Sequence, residues 1–367
     1  MKSIREMSFH YQPGVEQART YVLEQLLSSK ATVELHLDGY GLLLTGLDRA
    51  CCFVEDGKKQ ITKREYLRYL AELSPLILRH IKDRPLALAR RTEGAGGEWF
   101  FYKHWNGQLP PYVETVAIYS EQSRFDRIYL MCNNMATLLW LGETAHLELH
   151  AWPSRISAGS DAKVVSRSFT ASLARLNRSV LNYPDFLTFE LDPFFFSTGK
   201  PVGETSDREA YRKCCEIALR LREILEALSL PSYVKTSGRN GLHIFVPILR
   251  NMDFPHVRAA AAAIAWTLLQ DYPLDITTEW SVARQTSRVL LDYNQNALGK
   301  TLQWAYSPSA DSEAVVSTPI SWEELEWIDP WELTVDSVRE RVRAHGDPWE
   351  TIMDDKADLS HLYLLGE

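Results

Sequence analysis

Glu190 and Asp192 stand two residues apart in the stretch Leu187-Thr188-Phe189-Glu190-Leu191-Asp192-Pro193. On a strand, side chains alternate between faces, so the two carboxylates point one way and Leu187, Phe189 and Leu191 the other. Two carboxylates on one face repel each other unless a cation lies between them. A divalent metal removes that repulsion and makes the pair useful for handling phosphate. The competing reading is a half-exposed strand with a solvated acidic face, and these seven residues alone do not decide between the two.

A third carboxylate lies near the end of a predicted strand from Arg288 to Tyr293, in Val289-Leu290-Leu291-Asp292-Tyr293. If this strand pairs beside the first, Glu190, Asp192 and Asp292 meet. Two hard divalent ions held by carboxylates are the apparatus of phosphoryl and nucleotidyl transfer. Taken alone, Asp292 reads as a solvated strand end. Between the acids lies Ser237-Gly238-Arg239-Asn240-Gly241, whose Asn-Gly pair signals a hairpin turn. Small residues there let backbone N–H groups approach an anion. His243 faces away from Leu242 and Ile244; a tight hairpin with a structural histidine is the alternative. His146, Glu148 and His150 share a strand face with zinc-like spacing, without a fourth ligand or a cysteine pattern. Gly299-Lys300-Thr301 resembles the end of a P-loop, but the required earlier glycine is Asn294.

The elements that must position these groups follow from periodicity and turn chemistry. Residues 1–30 read as a helical extension and Ala31 to Leu44 as strands or a hairpin around Asp38-Gly39, with a turn at Glu55 to Lys59. Thr62 and Glu65 form a capping box for a helix with Tyr66, Leu67, Leu70 and Leu73 on its apolar stripe. Strands are predicted at Leu86 to Arg90, Trp99 to Lys103 and His146 to His150, with a glycine-rich loop at Gly94 to Gly97 and a helix capped by Asn134. Ser206 and Glu209 form a second capping box before a helix to about Leu228. Tyr233 to Thr236 and Leu242 to Ile248 are the hairpin strands, Pro255 starts a helix to about Gln270, Ser321 and Glu324 cap a short helix, and another spans Val335 to Ala344. The mixed order predicts an α+β fold with central, mostly antiparallel sheets flanked by helices.

At 367 residues, 45% hydrophobic and 24% charged, the composition is that of a soluble globular protein, with no apolar run of membrane length. The N-terminus lacks the apolar core of a signal peptide, so a cytoplasmic location is expected, nucleoid-associated in a prokaryote. Cys51, Cys52, Cys132, Cys214 and Cys215 form neither a zinc pattern nor a disulfide framework. The net charge of -8 is unevenly spread: residues 311–367 carry a net -11 and residues 1–310 a net +3. The body of the chain is therefore free to present a basic face to phosphate.

An acid pair, then Ser-Gly-x-x-Gly-x-His, then one Asp on a later strand resembles the motif order of the archaeo-eukaryotic primase superfamily. Glu190-Leu191-Asp192-Pro193, Val234-Lys235-Thr236-Ser237-Gly238, Gly241-Leu242-His243, Leu291-Asp292-Tyr293 with Gln295-Asn296, and Val316-Ser317-Thr318-Pro319 before Trp322-Glu323-Glu324-Leu325 are similar to the polymerase domain of bacterial ligase D. Glu55-Asp56-Gly57, Thr62-Lys63, Arg84-Pro85, Tyr102-Lys103-His104 and Leu147-Glu148-Leu149-His150 continue the pattern upstream. No ligase or nuclease segment follows, so a free-standing form is expected. The organisation expected is an extension at 1–34, a primase-polymerase domain at 35–355 and a tail at 356–367.

The resemblance implies a primase-polymerase fold and templated nucleotide addition at gaps or broken DNA ends in end joining. Manganese or magnesium would serve in a two-ion site, with NTP or dNTP as substrate, and Ku and a separate DNA ligase as partners. Carried over by position, Glu190, Asp192 and Asp292 would be catalytic metal ligands. His150, Ser237, Arg239, His243, Arg288 and Gln295 would contact the nucleotide. Arg49 and Lys63 would hold a 5′-phosphate, and Arg84, Lys103 and His104 would meet DNA. Phe100, Phe101 or Trp105 would stack on template bases, with core packing the other reading for Phe100 and Phe101. The chain departs from the family pattern at Glu190 (usually Asp), Asn240 (usually Lys), Gln285 and Thr286 (a thinned basic stretch), and Ser309 (usually Arg). The alternative function is a weakly catalytic or non-catalytic protein that recognises 5′-phosphorylated DNA ends; a phosphoesterase using the same carboxylates is a third.

Overall fold

The computed structural model describes residues 13–50, 61–91, 99–162, 166–193, 205–280, 288–309 and 315–363. Glu55 to Lys59, Gly94 to Gly97, Gln285, Thr286 and the Ser206 side chain lie outside the described residues. Two six-stranded sheets dominate. The first runs in the order Ile276–Thr277, Val289–Asp292, Phe186–Asp192, Leu242–Pro247, Tyr233–Thr236, Pro319–Ile320. All its pairings are antiparallel except that of Ile276–Thr277 with Val289–Asp292. The second runs Leu302–Gln303, His146–Ala151, Leu86–Arg91, Phe125–Met131, Glu114–Ser120, with Trp99–Tyr102 added beside Leu86–Arg91. The fold is thus the mixed α+β arrangement that the element order implies.

The first sheet is covered on both faces. Leu187, Phe189 and Leu191 are fully buried, and so are Phe186 and Thr188 on the Glu190 face. The solvated acidic strand is therefore not the state of Phe186–Asp192. Thr205–Ala227 and Phe254–Asp271 pack against this sheet. The alternating apolar rows of the strands and the stripe of each helix together give one continuous core.

The helix Lys63–Ile81 has the Thr62–Glu65 capping box with both reciprocal hydrogen bonds. It packs against Pro13–Leu26, Met135–Glu143 and Val335–His345. Neither end of the described chain trails free. Val22 and Leu26 are buried at one end, and Leu359 at the other. Ala357 exchanges backbone hydrogen bonds with Pro247 and Leu249. Several acids of the C-terminal region are spent on internal pairs: Glu324 with Arg341, Asp329 with Arg208, and Asp347 with His80.

Asp185, completely buried just before the acid-bearing strand, is the hub of an ion cluster. Arg84 reaches it at 2.9 Å, Arg155 at 2.7 Å, Lys356 at 3.5 Å and Arg250 at 3.8 Å. The Arg84 guanidinium also lies 4.8 Å above the Trp304 ring and 5.2 Å from Phe186. Arg84 is 1% exposed, which corrects its assignment to DNA contact: its charge ties the start of one sheet to the start of the other.

Burial alone would raise the Asp185 pKa, but the three guanidinium groups outweigh it and hold the carboxyl far below its ordinary value. A depressed folded pKa stabilises the fold above the unfolded pKa of about 3.9, and that stability is lost as pH falls through the folded value. Asp185→Asn leaves buried guanidinium groups uncompensated and is expected to cost about 3–5 kcal/mol at pH 7. The difference from the parent should shrink at pH 3. Urea unfolding of both proteins at the two pH values measures it; a loss under about 1 kcal/mol at pH 7 contradicts the hub role.

Candidate active site

The register of the first sheet places four polar residues directly opposite one another. Lys235 faces His243, His243 faces Glu190, and Glu190 faces Asp292. Asp192 lies two residues beyond Glu190 on the same strand face, opposite Leu290. The three acids thus meet as the sequence pattern requires. A cleft of about 220 Å³ is lined by Glu190 and Asp192, not by the buried Asp292, and is closed from the other side by Glu148 and His150 of the second sheet.

Close polar contacts run along the row, with Gln295 bridging its two carboxylates. Lys235 Nζ lies 2.9 Å from His243 Nδ1. His243 Nε2 lies 3.4 Å from Glu190 Oε1. The Gln295 amide donates to Glu190 Oε2 at 2.8 Å and to Asp292 Oδ2 at 3.2 Å. The backbone N–H of Asn294 donates to Asp292 Oδ1 at 2.7 Å. Asn296, which the motif comparison left without a role, binds both the N–H and the C=O of Thr188 through its side-chain amide. It thereby continues the backbone ladder past the end of Val289–Asp292 and fixes the loop that carries Gln295.

Burial, reinforced by the charges of Glu190 and Asp292 and opposed by Arg239, raises the Asp192 pKa to about 6. Asp292 is raised as well, by burial first, with the Asn294 N–H pulling the other way. Glu190 ends below its ordinary value: burial pushes it up, but hydrogen bonds from His243 and Gln295 and the charge of Lys235 outweigh that. Burial and the neighbouring Lys235 push His243 down to about 4. Burial takes Lys235 well below the ordinary lysine value, against the attraction of Glu190.

Among the described residues, no group of three or more histidine, cysteine, aspartate or glutamate side chains is placed so as to hold a metal ion. The Gln295 donor stands between Glu190 and Asp292. Glu190, Asp192 and Asp292 present carboxylate oxygens, the ligand type that hard divalent ions prefer. The zinc-like trio does not form: His146 is buried, hydrogen-bonded to Thr144 and set against Trp105 and Trp140.

Ser237 Oγ accepts the N–H groups of Arg239 and Gly241, each at 3.1 Å, leaving its own proton available. Gly241 packs so close to the acid-bearing strand that an added Cβ would meet Leu191 O at 2.4 Å. Across the cleft, Glu148 gathers His150 Nε2 at 2.9 Å, Ser309 Oγ at 3.1 Å and an Arg239 guanidinium nitrogen at 3.4 Å. Asn240 lines the same cleft, and Arg288 sits half-buried just before Val289–Asp292.

The remaining sequence-predicted residues lie further out. Lys63, the first residue of its helix, pairs with Glu143 at 2.8 Å and with Thr45 O at 3.0 Å. Its backbone N–H binds Arg49 O, so the structure brings this pair of residues together. Phe100 and Phe101 are 39% and 50% exposed, which removes the core-packing reading. Phe101 meets His150 edge-on at 5.2 Å. Trp105 is half-buried against Trp140. Lys103 is exposed, and His104 packs edge-on against Tyr129 at 4.9 Å.

Residues 62–349 match the family model of the LigD primase-polymerase domain. The chain is 26% identical over 310 residues to the bifunctional non-homologous end joining protein LigD of Bacillus subtilis, covering 84% of this chain and 43% of that protein. It is 26% identical over 286 residues to the multifunctional non-homologous end joining protein LigD of Mycolicibacterium smegmatis, covering 78% and 33% respectively. The chain therefore spans less than half the length of these relatives. In fold it is similar to the polymerase domain from Mycobacterium tuberculosis ligase D in complex with DNA, with a TM-score of 0.69 at 24% identity, over 86% of this chain and 98% of that one.

The contact at Gly241 supplies a direct check on the site's assembly. Gly241→Ala forces the hairpin away from Phe186–Asp192 and should lower stability by about 1–3 kcal/mol. Thermal unfolding measures it, and an unchanged melting temperature would show that the turn does not need this close approach.

Proposed function

The chain belongs to the family of LigD primase-polymerase domains, and from that premise we propose that it adds nucleotides to a primer 3′-OH at 5′-phosphorylated gaps or broken ends in DNA repair. The observation that carries this reading is the cleft lined by Glu190, Asp192 and the Ser237–Gly241 turn, with Asp292 directly opposite Glu190 on the neighbouring strand and linked to it by the Gln295 amide. Acids that share a face, with two of their pKa values raised, call for cations. A triphosphate brings further negative charge and needs the donors the turn supplies.

In the proposed reaction the primer 3′-oxygen forms a bond to the α-phosphorus of the incoming nucleotide. The bond from that phosphorus to the bridging oxygen breaks, pyrophosphate leaves, and the 3′-hydroxyl proton is drawn off toward the carboxylates. Glu190, Asp192 and Asp292 would hold magnesium or manganese, which when bound supplies charge neutralisation and Lewis acidity. Ser237, Arg239, His243, His150 and Gln295 would hold the nucleotide, with Arg288 nearby. Arg49 and Lys63, at a helix N-terminus, would take the downstream 5′-phosphate. Phe100 and Phe101 offer exposed rings to unpaired bases, and Lys103 and His104 a further contact. Ku and a DNA ligase activity are the partners proposed for this role.

Primer extension across a short 5′-phosphorylated gap, with manganese or magnesium and with NTP or dNTP in separate reactions, tests the proposal. Templated incorporation is expected, and Glu190→Ala or Asp292→Ala should abolish it while DNA binding persists. Undiminished synthesis in either variant would remove the site assignment. Tight phosphate-dependent binding without incorporation would instead indicate an end-binding protein.

The Lys63–Glu143 pair sharpens the phosphate prediction. Lys63→Ala should weaken binding to a phosphorylated gap by about ten- to hundredfold, the value of a hydrogen bond between charged groups, and leave an unphosphorylated gap unaffected. Glu143→Gln, which frees the ammonium, should strengthen the phosphate preference. Fluorescence anisotropy on the two substrates measures both; equal effects on both gaps would mean a diffuse electrostatic role.

A further inference from the structure

A second cavity, about 250 Å³ and thus as roomy as the active-site cleft, opens at one end of the helix Met135–Glu143. The Lys63–Glu143 pair lies at the other end of that helix. Nine helical residues put about 13 Å between the two ends. The cavity is lined by Asp38 and Tyr40 of the N-terminal hairpin, by Tyr112 and Glu114, and by Asn134, the N-cap of the helix. Among the described residues, no lysine, arginine or histidine lines it.

Local structure accounts for why these residues stand there, and leaves part of their chemistry unused. Asp38 and Gly39 take φ values of 51° and 83°, the left-handed pair that a two-residue hairpin turn needs. The turn explains the residue type, but the Asp38 carboxylate has no hydrogen-bond or ion-pair partner among the described residues. Glu114 accepts one hydrogen bond, from Asn133 Nδ2 at 2.9 Å. The helix N-terminus offers about half a positive charge, less than either carboxylate carries. Asn134 already occupies it, because its Oδ1 accepts the Thr137 N–H at 2.8 Å. The cavity is therefore negative on balance.

Tyr40 and Tyr112 meet edge-on, with ring centroids 5.7 Å apart. The Tyr112 carbonyl is held by Asn134 Nδ2 at 2.9 Å and by Thr137 Oγ at 3.0 Å, so this wall is set in advance. Tyr112 is 8% exposed, yet its hydroxyl has no hydrogen-bond partner among the described residues and keeps contact with solvent. A polar group this far buried ordinarily has a partner. An ammonium or guanidinium group answers every feature: carboxylates attract it, aromatic faces attract it, and it donates to a hydroxyl oxygen. An anion would meet two carboxylates, and an apolar group would leave the hydroxyl unpaired.

We propose that this cavity binds an organic cation, through an ammonium or guanidinium group, at a site separate from the nucleotidyl-transfer cleft. Two sources present that chemistry: a free polyamine, and a lysine or arginine side chain of a polypeptide. Occupancy here leaves the Lys63–Glu143 pair at the far end of the helix untouched.

The test is fluorine NMR of the full chain labelled with fluorotyrosine, without nucleotide or metal. The Tyr40 and Tyr112 resonances are assigned by their loss in Tyr40→Phe and Tyr112→Phe, and they report on this cavity rather than on the acids of the cleft. The probes are spermidine and blocked tripeptides with a central lysine or arginine. A tripeptide with a central glutamate and sodium chloride at equal ionic strength are the controls. Both resonances are expected to shift saturably with at least one cationic probe and not with the controls. Asp38→Asn should weaken that binding about two- to fivefold, and Tyr40→Ala, read at Tyr112, by a similar factor. Both substitutions are at exposed positions.

Saturation by spermidine alone assigns the site to a free polyamine; saturation by the tripeptides assigns it to a basic polypeptide segment. Absence of a saturable shift with all three cations in wild type overturns the proposal, whatever the variants do. So do equal shifts with the glutamate peptide or salt, and so does an affinity unchanged in both Asp38→Asn and Tyr40→Ala.

Discussion

Across four adjacent strands, Lys235, His243, Glu190 and Asp292 stand in register, so that each side chain has the next as its direct cross-strand neighbour. Directly opposed residues on one face of a sheet are about 5 Å apart, which leaves each no choice of partner. The row runs from a buried amine through an imidazole to two carboxylates. A one-residue slip in any of the three pairings would turn one member to the other face of the sheet and break the row. The site therefore depends on register, and much of the surrounding structure serves to fix that register.

Three devices do so. The Asn296 amide caps the short strand Val289–Asp292 by bonding both backbone groups of Thr188. Gly241 allows the turn to lie against Leu191 with no side chain between them. The Asp185 cluster anchors the first residue of Phe186–Asp192 to Arg84, at the edge of the second sheet. The strand Leu302–Gln303 follows closely after Asp292 and pairs with Ala151 and His150, so the chain that leaves the acids goes directly to the opposite wall of the cleft. The two walls are thus linked by covalent continuity as well as by packing, and Glu148 spans them by bonding Arg239 of the first wall and Ser309 beyond the second.

Local signals in the sequence reached a good part of this. The alternation around Glu190, the Asn-Gly turn and the Thr62–Glu65 box each have a mechanism within a few residues, and each corresponds to an observed element. The hairpin Glu114–Ser120 and Phe125–Met131 escaped because its turn carries no glycine or asparagine; Arg124 takes the positive φ of 58° instead. Arg84 was misplaced because its partner Asp185 is remote in sequence, and a lone arginine before proline looks like surface. Lys235 had a signal, a lysine inside an otherwise apolar hairpin strand two residues before the turn. Its partners Ser317 and His243 are brought to it only by the tertiary pairing.

The departures from the family pattern take on a physical meaning in this frame. The longer side chain of Glu190 has a place to go: one oxygen meets the Gln295 amide at 2.8 Å and the other faces His243 at 3.4 Å. The extra methylene is accommodated within the row, because donors flank the carboxylate on both sides. Ser309, in place of an arginine, leaves Glu148 without a full cation on that side, and the guanidinium of Arg239 approaches the same carboxylate oxygen from the hairpin. Arg239 is also the positive group that opposes the rise of the Asp192 pKa. One arginine on the turn thus acts on both walls of the cleft, on a carboxylate of each sheet. That places Arg239 at the electrostatic centre of the site.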